Sequence, residues 1–292
     1  MVEMLLIIMK KKNYINYIYM VFISNKYKFI FIHIPKTGGQ TIKATLHKIY
    51  RNDFKRKDCN TLEYAALLSS CTKKSKKHIM FRSPRHLTMD DINNIYNKKY
   101  FTFTFIRNPY DRFYSTYNHF KIRIYKFLYI ITAVYVILII SLIYSILKQK
   151  NILFYISFLL LLFINIYIGF YLKYYKWTWQ LISNNFNFFI KNNIFKINKS
   201  LYGDLFKPQY DYINNNKIDF IGRQENFNND INNVLNILNI KIDIVNKNVR
   251  NSNSYTGMYK YINKYNNKSI KIINKIYDID FKKFNYKKLS IN

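Results

Sequence analysis

The stretch KYKFIFIHIPKTGGQTIKATLHKIY, residues 26–50, decides the fold. Its apolar run, Lys28–Ile34, predicts a buried strand, and Thr41–Tyr50 has the pattern of a helix. Between the two lie a proline, a lysine and two glycines. A strand that runs through a glycine turn into a helix directs several backbone N–H groups to one point, where the helix dipole adds positive potential. The stretch therefore predicts a turn that binds a phosphate group.

The lysine of this turn, Lys36, comes before both glycines. The Walker A pattern GxxxxGK[ST] has its lysine after the last glycine, so this turn is of another kind. Gly38 and Gly39 allow the backbone to approach a ligand closely, and Lys36 supplies a point charge. Further hydrogen-bond donors in the turn are Thr37, Gln40 and Thr41.

The composition is strongly basic, with 47 Lys and Arg against 15 Asp and Glu and a formal net charge of +32 over 292 residues. Lysine dominates this charge, and Asn, Ile and Tyr are overrepresented as well, which indicates a bias along the whole chain rather than a basic surface built for a partner. Because no recognisable nucleic-acid-binding motif accompanies the charge, we expect no nucleic-acid partner. The two cysteines, Cys59 and Cys71, allow one bridge at most and indicate neither a disulfide framework nor a zinc site.

Two uncharged apolar runs lie in the middle of the chain, at Phe127–Leu147 and Ile152–Leu172. As helices each would be about 31 Å long, which matches the hydrocarbon thickness of a bilayer. Core helices of this length normally have a polar face, and two such runs in tandem favour a membrane hairpin. We therefore predict an inserted two-helix transmembrane hairpin at 127–172. It divides one folded domain into an N-terminal part, 1–126, and a C-terminal part, 173–292.

A hairpin returns the chain to the side of the membrane that it left, so both parts of the domain lie on one face. More basic residues flank the open end of the hairpin than its loop, and the positive-inside rule then favours the cytosol. The flanking residues are Lys121, Arg123, Lys126, Lys173 and Lys176, and those of the loop are Lys148 and Lys150. An earlier apolar run, Met4–Met9, precedes its lysines instead of following them, and predicts neither a secretory signal nor an N-terminal anchor.

The segments on both sides of the hairpin alternate between helix and strand patterns. Asp90–Tyr96 predicts a short helix, and Tyr100–Ile106 predicts an aromatic and β-branched strand. Residues 226–239 predict a helix, whose apolar face is formed by Phe227, Ile231, Val234, Leu235 and Leu238. Such alternation indicates an α/β fold, in which crossover helices flank a parallel sheet.

A second strand-to-helix turn follows in FTFTFIRNPYDRFYSTYNHF, residues 101–120. Arg107 stands at the end of the strand, and Ser115 lies one to two turns into the helix. An arginine fork and a serine hydroxyl in these places are suited to binding a second phosphate. Arg112 is interpreted as structural, paired with Asp111 or with another nearby carboxylate.

Five blocks of the chain resemble, in order, those of sulfotransferases that use 3′-phosphoadenosine 5′-phosphosulfate (PAPS), of the carbohydrate, heparan and chondroitin type found in the Golgi. HIPKTGGQT, residues 33–41, resembles their 5′-phosphosulfate-binding loop. FIRNPYDRFYSTY, residues 105–117, resembles their 3′-phosphate-binding strand and helix. The later blocks are PQYDYI (208–213), DFIGRQENF (219–227) and YDIDFKKFNY (277–286).

The resemblance implies a P-loop-like α/β fold and transfer of a sulfuryl group from PAPS to a hydroxyl of a carbohydrate or similar acceptor, with no metal. It also implies that Arg107 and Ser115 hold the 3′-phosphate of the donor. The residues implied for the 5′-phosphosulfate are Lys36, Thr37, Gly38, Gly39, Gln40 and Thr41. Lys36 would in addition stabilise the negative charge that develops on the departing phosphate oxygen.

A base must take the proton of the acceptor hydroxyl. His86, in RSPRHLTMDD, is the first candidate, because related hexuronosyl 2-O-sulfotransferases have their catalytic histidine at a similar distance before the arginine. Glu225 is the second candidate, because carboxylates serve as the base in other sulfotransferases, and a structural pair with Arg223 is its alternative role. Two further histidines, His33 and His119, are interpreted as structural.

The inserted hairpin predicts a two-pass integral membrane protein and a lipid bilayer as partner. The charge pattern favours the cytosol for the domain, whereas the resemblance favours the Golgi lumen. Since the hairpin follows the 3′-phosphate helix directly, a lipid-linked or membrane-proximal acceptor is a further hypothesis.

Two other functions stay open. The first is a nucleotide-dependent phosphotransferase. Two features of the sequence argue against it: the glycine turn does not have the Walker A order of residues, and no obvious magnesium-binding carboxylate follows a strand. A catalytically inactive nucleotide-binding membrane protein is not excluded by analogy of fold.

Overall fold

A single sheet lies at the centre of the protein. The structure, a computed structural model, describes residues 22–24, 27–53, 87–93, 99–174, 185–197, 203–244 and 260–290. Its strands are β1 (Phe22–Ser24), β2 (Phe29–Ile32), β3 (Phe101–Ile106) and β4 (Phe220–Arg223), hydrogen-bonded in that order. β2, β3 and β4 run parallel, and β1 pairs antiparallel with β2 at the edge. The prediction of an α/β fold with a parallel sheet is confirmed, whereas β1 was not predicted.

Helices connect and cover these strands. They are α1 (Gly39–Asp53), α2 (Met89–Asn93), α3 (Pro109–Leu147), α4 (Asn151–Tyr174), α5 (Phe186–Ile197), α6 (Gly203–Phe206), α7 (Tyr210–Ile213), α8 (Phe227–Ile237), α9 (Asn267–Ile276) and α10 (Asp278–Lys283). Two single turns of 3₁₀-helix lie at Gln224–Asn226 and Ile262–Lys264. The predicted helices at 41–50 and 226–239 correspond to α1 and α8. The one at 90–96 corresponds to α2, and its residues 94–96 lie outside the described residues.

Both faces of the sheet are covered by apolar side chains. Successive residues of a strand point to opposite faces. Ile30 and Ile32 of β2 pack into one apolar cluster with the first part of α3 and with α5, α9 and α10. Phe31 of β2 and Phe103 of β3, which pair in register with ring centroids 5.1 Å apart, pack into a second cluster with α1 and α8. Burial on both faces explains why β2 reads as a continuous apolar run.

The helix α3 joins the second turn to the first apolar run without a break. It has 39 residues, which corresponds to a length of about 58 Å. The most apolar stretch of 18 residues in this helix has a mean hydropathy of 2.7, and 6% of that stretch is buried inside the protein. Among the described residues α3 is the one helix that is long and apolar enough to cross a membrane, judged by length and composition alone.

α4 follows after the short connection 148–150 and packs against α3. The hydroxyls of Ser141 and Ser157 lie 2.9 Å apart and join the two helices. The part of α4 whose side chains the structure describes, Asn151–Ile166, is apolar but shorter than a membrane-spanning helix. The structure therefore contains a helical hairpin, but a hairpin that crosses the membrane twice is not confirmed.

Candidate active site

The two predicted phosphate-binding turns meet at one edge of the sheet. β2 and β3 are parallel neighbours, with Ile32 opposite Thr104. The carboxyl ends of both strands therefore reach the same edge, which is where open α/β sheets bind their ligands. A long hydrogen bond of 3.4 Å runs from Arg107 Nη1, after β3, to the carbonyl oxygen of Lys36, after β2.

The first turn is held by its own neighbours along the chain. Gly38 has φ +95° and Lys36 has φ +71°, both in the left-handed region. The buried Thr37 hydroxyl donates to the carbonyl oxygen of Ile34 at 2.8 Å. The N–H of Thr41 donates to the carbonyl oxygen of Gly38 at 2.9 Å, which closes the first turn of α1. The N–H groups at the start of α1 are thereby directed to the turn.

Both glycines of this turn are needed for space. A Cβ on Gly38 would lie 2.7 Å from the Phe227 ring, and one on Gly39 would lie 2.0 Å from Cε1 of His33. His33 is 5% exposed, so its imidazole is enclosed by other parts of the protein. His33 thus packs against the start of α1, in agreement with its interpretation as a structural residue. Gln40 in the same helix turn is exposed, and Thr41 is buried.

Lys36 is a half-buried cation beside a second cation. Burial lowers its pKa from 10.5 to about 8, and the nearby Arg107 guanidinium adds to this shift. Two like charges disfavour each other at short range, and an anion between them removes that cost. The pair therefore has the electrostatic character of an anion-binding site.

The guanidinium of Arg107 is only partly satisfied within the protein. Arg107 is 9% exposed, and its Nε has no hydrogen-bond partner among the described residues. Its Cζ lies 6.0 Å from the ring centre of Tyr261. A buried charged donor without a partner is unusual in a folded protein. The side chain is therefore suited to a polar ligand at this edge.

The backbone of the second turn is held by distant residues. The Arg107 N–H donates to Gln209 Oε1 at 2.9 Å, and the Arg107 carbonyl accepts from Gln209 Nε2 at 2.8 Å. The N–H of Asn108 donates to Glu225 Oε1 at 2.6 Å. Asn108 caps α3, because its Oδ1 accepts from the Tyr110 N–H at 3.0 Å.

Ser115 lies about two turns into α3 with a half-buried side chain. No hydrogen bond joins it to Arg107 in the part of the chain that the structure describes. It follows Asp111 by one helical turn, on the same face of α3. Asp111 accepts the N–H groups of Lys260 at 3.2 Å and Tyr261 at 3.0 Å. Tyr261 is thereby held near both Arg107 and this face of α3.

Arg112 is structural, as predicted: its hydrogen bonds go to backbone carbonyls, and its charge lowers the pKa of the neighbouring carboxylates of Asp211 and Asp280 against the effect of burial. Arg112 is 1% exposed and donates to three backbone carbonyls. These are Pro35 O at 3.0 Å, Lys207 O at 2.9 Å and Leu205 O at 3.3 Å. Arg112 therefore ties the first turn to the segment that precedes Gln209. Asp111 makes separate contacts with backbone N–H groups.

Of the two candidate bases, His86 and Glu225, the structure describes the second. His86 lies outside the described residues. Glu225 has both carboxylate oxygens engaged, since Oε1 accepts from Asn108 and Oε2 accepts from the Tyr286 hydroxyl at 3.0 Å. Burial raises the pKa of Tyr286, and the Glu225 carboxylate adds to the effect, so this hydroxyl keeps its proton. Instead of pairing with Glu225, Arg223 donates to the carbonyl oxygen of Phe284 at 2.7 Å.

Sequence reasoning missed several residues that shape the site. Gln209 lies in the block PQYDYI, and Asp280 and Tyr286 lie in YDIDFKKFNY, so the blocks were recognised without a role for these side chains. Tyr261 lies in no recognised block. No group of three or more His, Cys, Asp or Glu that could hold a metal occurs among the residues the structure describes. The metal-free reaction stays a prediction.

Comparison with known families agrees with this geometry. Residues 19–146 match the model of the Sulfotransferase family. The match includes both turns and most of α3, and it covers less than half of the chain. This match supports sulfotransferase as the enzyme class of the protein. A search of curated proteins and a search of solved structures gave no match.

Proposed function

We propose that the protein transfers a sulfuryl group from PAPS to a hydroxyl of a carbohydrate or similar acceptor. The observation that carries this proposal is the meeting of Lys36 and Arg107 at one edge of the sheet, within the residues matched by the Sulfotransferase family. PAPS carries phosphate groups at two positions of its ribose, the 5′-phosphosulfate and the 3′-phosphate. Two neighbouring turns with one cation each are suited to such a molecule.

The first turn would hold the 5′-phosphosulfate. Lys36 supplies the charge, the positive φ of Gly38 shapes the turn, and the start of α1 directs N–H groups to it. Thr41 and Gln40 add further donors, whereas the Thr37 hydroxyl is used within the turn. Arg107 would hold the 3′-phosphate through its Nε, which has no partner among the residues that the structure describes, with Ser115 as the second proposed ligand.

The chain's own groups then perform the transfer. The acceptor oxygen forms a bond to sulfur in line with the bond that breaks, between sulfur and the bridging oxygen of the 5′-phosphate. The electron pair of the broken bond stays on that oxygen, and Lys36 stabilises its charge. A base takes the hydroxyl proton. Because both oxygens of Glu225 have partners, we favour His86 as the base and a positioning role for Glu225.

We also propose that α3 and α4 anchor the protein in a lipid bilayer. Large apolar side chains along both helices are exposed, among them Ile137, Leu147, Ile152 and Phe163. Small residues at the contact of the two helices, Ser141 and Ser157, are common where membrane helices pack closely. α3 runs directly from the Arg107 turn, which supports a membrane-proximal or lipid-linked acceptor. The lysine pattern favours the cytosolic side, and the resemblance to Golgi enzymes favours the lumen.

The test is transfer of radiolabelled sulfate from PAPS to a panel of acceptors, with the full chain in detergent or in vesicles. Soluble oligosaccharides and extracted glycolipids form the two arms of the panel. We expect transfer that Lys36→Ala abolishes and that the exposed-site variant Lys271→Ala leaves unchanged. Turnover of ATP that depends on magnesium, without sulfate transfer, would indicate a phosphotransferase instead. Binding of the donor without transfer to any acceptor would indicate an inactive nucleotide-binding protein.

A further inference from the structure

The side-chain amide of Gln209 holds both backbone groups of Arg107. Oε1 accepts the Arg107 N–H at 2.9 Å, and Nε2 donates to the Arg107 carbonyl at 2.8 Å. Gln209 is 0% exposed. An amide is the side-chain group that offers an acceptor and a donor side by side, so it matches the two groups of one peptide residue. A carboxylate offers acceptors alone, and an apolar side chain offers neither.

Gln209 is itself fixed by a buried carboxylate. Asp280 Oδ2 accepts the backbone N–H of Gln209 at 2.8 Å, and Oδ1 accepts that of Tyr210 at 2.9 Å. Oδ2 also lies 3.4 Å from Gln209 Nε2. Asp280 is 0% exposed and belongs to α10, near the end of the chain. A row of hydrogen bonds thus runs from α10 through Gln209 to the end of β3.

The burial of the Asp280 carboxylate has a cost in free energy. Burial raises the pKa of Asp280 from 3.8 to about 6, against the opposing effects of Arg112 and of the N–H donors of Gln209 and Tyr210. Removing a carboxylate from water costs free energy, and the backbone N–H groups of Gln209 and Tyr210 that donate to it offset part of that cost. Asp280 thus fixes the backbone of Gln209 and Tyr210, and through Gln209 it acts on the end of β3.

This row of hydrogen bonds ends at Arg107, the residue proposed to bind the 3′-phosphate. Arginine has many rotamers, and the position of its guanidinium depends on where its backbone is held. The backbone of Arg107 is held on both sides, while its Nε has no partner among the described residues. Such preorganisation reduces the entropy lost when a ligand binds.

We propose that Gln209 and Asp280 are positioning residues that fix Arg107 for the 3′-phosphate and so make the enzyme selective for 3′-phosphorylated nucleotides. This inference rests on the proposed function, in which Arg107 binds that phosphate. Both residues are fully buried, and the proposal places neither of them in contact with the ligand. Their contribution is therefore to the preference for the 3′-phosphate rather than to binding of the 5′-phosphate.

The experiment compares the affinities for 3′-phosphoadenosine 5′-phosphate and adenosine 5′-phosphate, whose ratio measures selectivity. We expect Gln209→Leu and the nearly isosteric Asp280→Asn to lower this ratio by about tenfold while the affinity for adenosine 5′-phosphate changes little. Tyr277→Phe is the matched control, because it removes another buried hydrogen bond in the same region, from Tyr277 to the Phe206 carbonyl. It should lower the melting temperature and leave the ratio unchanged.

A double variant separates positioning from general damage. In an Arg107→Ala background, Asp280→Asn should cause no further loss of selectivity, because the group that it positions is gone. An unchanged ratio in folded Asp280→Asn, or an equal loss with and without Arg107, would overturn the inference. A wild-type protein with no preference for the 3′-phosphate would overturn the proposed function itself, so the two failures are distinct.

Discussion

The two phosphate-binding turns are built in different ways, although they lie side by side. The turn after β2 is shaped mainly by residues within it, through the positive φ of Gly38 and the hydrogen bond from Thr37 to Ile34. The turn after β3 is shaped by Gln209 and Glu225, which are far away in the sequence. The first turn is therefore a local motif. The second depends on contacts with the C-terminal part of the chain.

The largest expected effect concerns Arg112, which joins the two turns. Replacing it by Met leaves the buried carbonyls of Pro35, Lys207 and Leu205 without their donor. We expect Arg112→Met to lower the free energy of unfolding by about 3–5 kcal/mol. Chemical denaturation of the detergent-solubilised protein measures it, with the exposed Lys271→Met as control. A loss no greater than that of the control would show that the two turns are supported independently.

The next effect concerns the local turn alone. Gly39→Ala places a Cβ 2.0 Å from the His33 imidazole, which is buried. Overpacking of this kind costs about 1–3 kcal/mol. Thermal unfolding of Gly39→Ala should show the loss, while Gln40→Ala, at an exposed position of the same helix turn, should be close to the wild type. If both variants are equally stable, the close packing of His33 on α1 is not present.

A smaller effect concerns the charge in the first turn. Lys36 has a pKa lowered to about 8 by burial and by Arg107, so it is charged below that pH and neutral above it. Affinity for 3′-phosphoadenosine 5′-phosphate should therefore fall by about tenfold per pH unit above pH 8. Lys36→Arg keeps its charge and should flatten this profile. A wild-type affinity that is constant from pH 7 to pH 10 would contradict the assignment of Lys36.

The lowered pKa of Lys36 also makes the stability of the unliganded protein depend on pH, in the opposite direction from the ligand affinity. Folding lowers the pKa from the ordinary 10.5 to about 8, so the folded state releases the proton more readily than the unfolded state. Lys36 therefore costs stability below pH 8, and this cost decreases as the pH rises from there to the ordinary pKa. Ligand binding weakens over the same range in which the unliganded protein gains stability.

The smallest effect concerns the helical hairpin, which lies away from both turns. Ser157→Ala removes the contact with Ser141 and should lower stability by about 0.6 kcal/mol without changing nucleotide affinity. Thr132→Ala is the control, because that hydroxyl donates within its own helix, to Leu128. A change in nucleotide affinity in Ser157→Ala alone would mean that the hairpin is coupled to the turns.

The contrast between the turns also explains what the sequence could predict. β2, the glycine turn and α1 follow from apolar runs and glycines within one short stretch, and the structure has them close to the predicted bounds. Arg107 and the start of α3 are marked by a strand followed by Asn-Pro. The backbone carbonyls that accept from Arg112 were not predicted, because carbonyls from other segments leave no signal in composition. Gln209 and Asp280 gained a role only when the fold brought them to β3. The edge strand β1 is too short for a clear pattern.

The central claim is that the two turns bind one nucleotide that carries phosphates at both the 3′ and the 5′ positions of its ribose. The most direct measurement is the affinity for 3′-phosphoadenosine 5′-phosphate in the presence of ATP, in wild type, Lys36→Ala and Arg107→Ala. We predict tight binding that ATP does not displace, weakened by both substitutions, with Arg107→Ala also removing the preference over adenosine 5′-phosphate. Displacement by ATP, or an Arg107→Ala protein with unchanged preference, would contradict the claim.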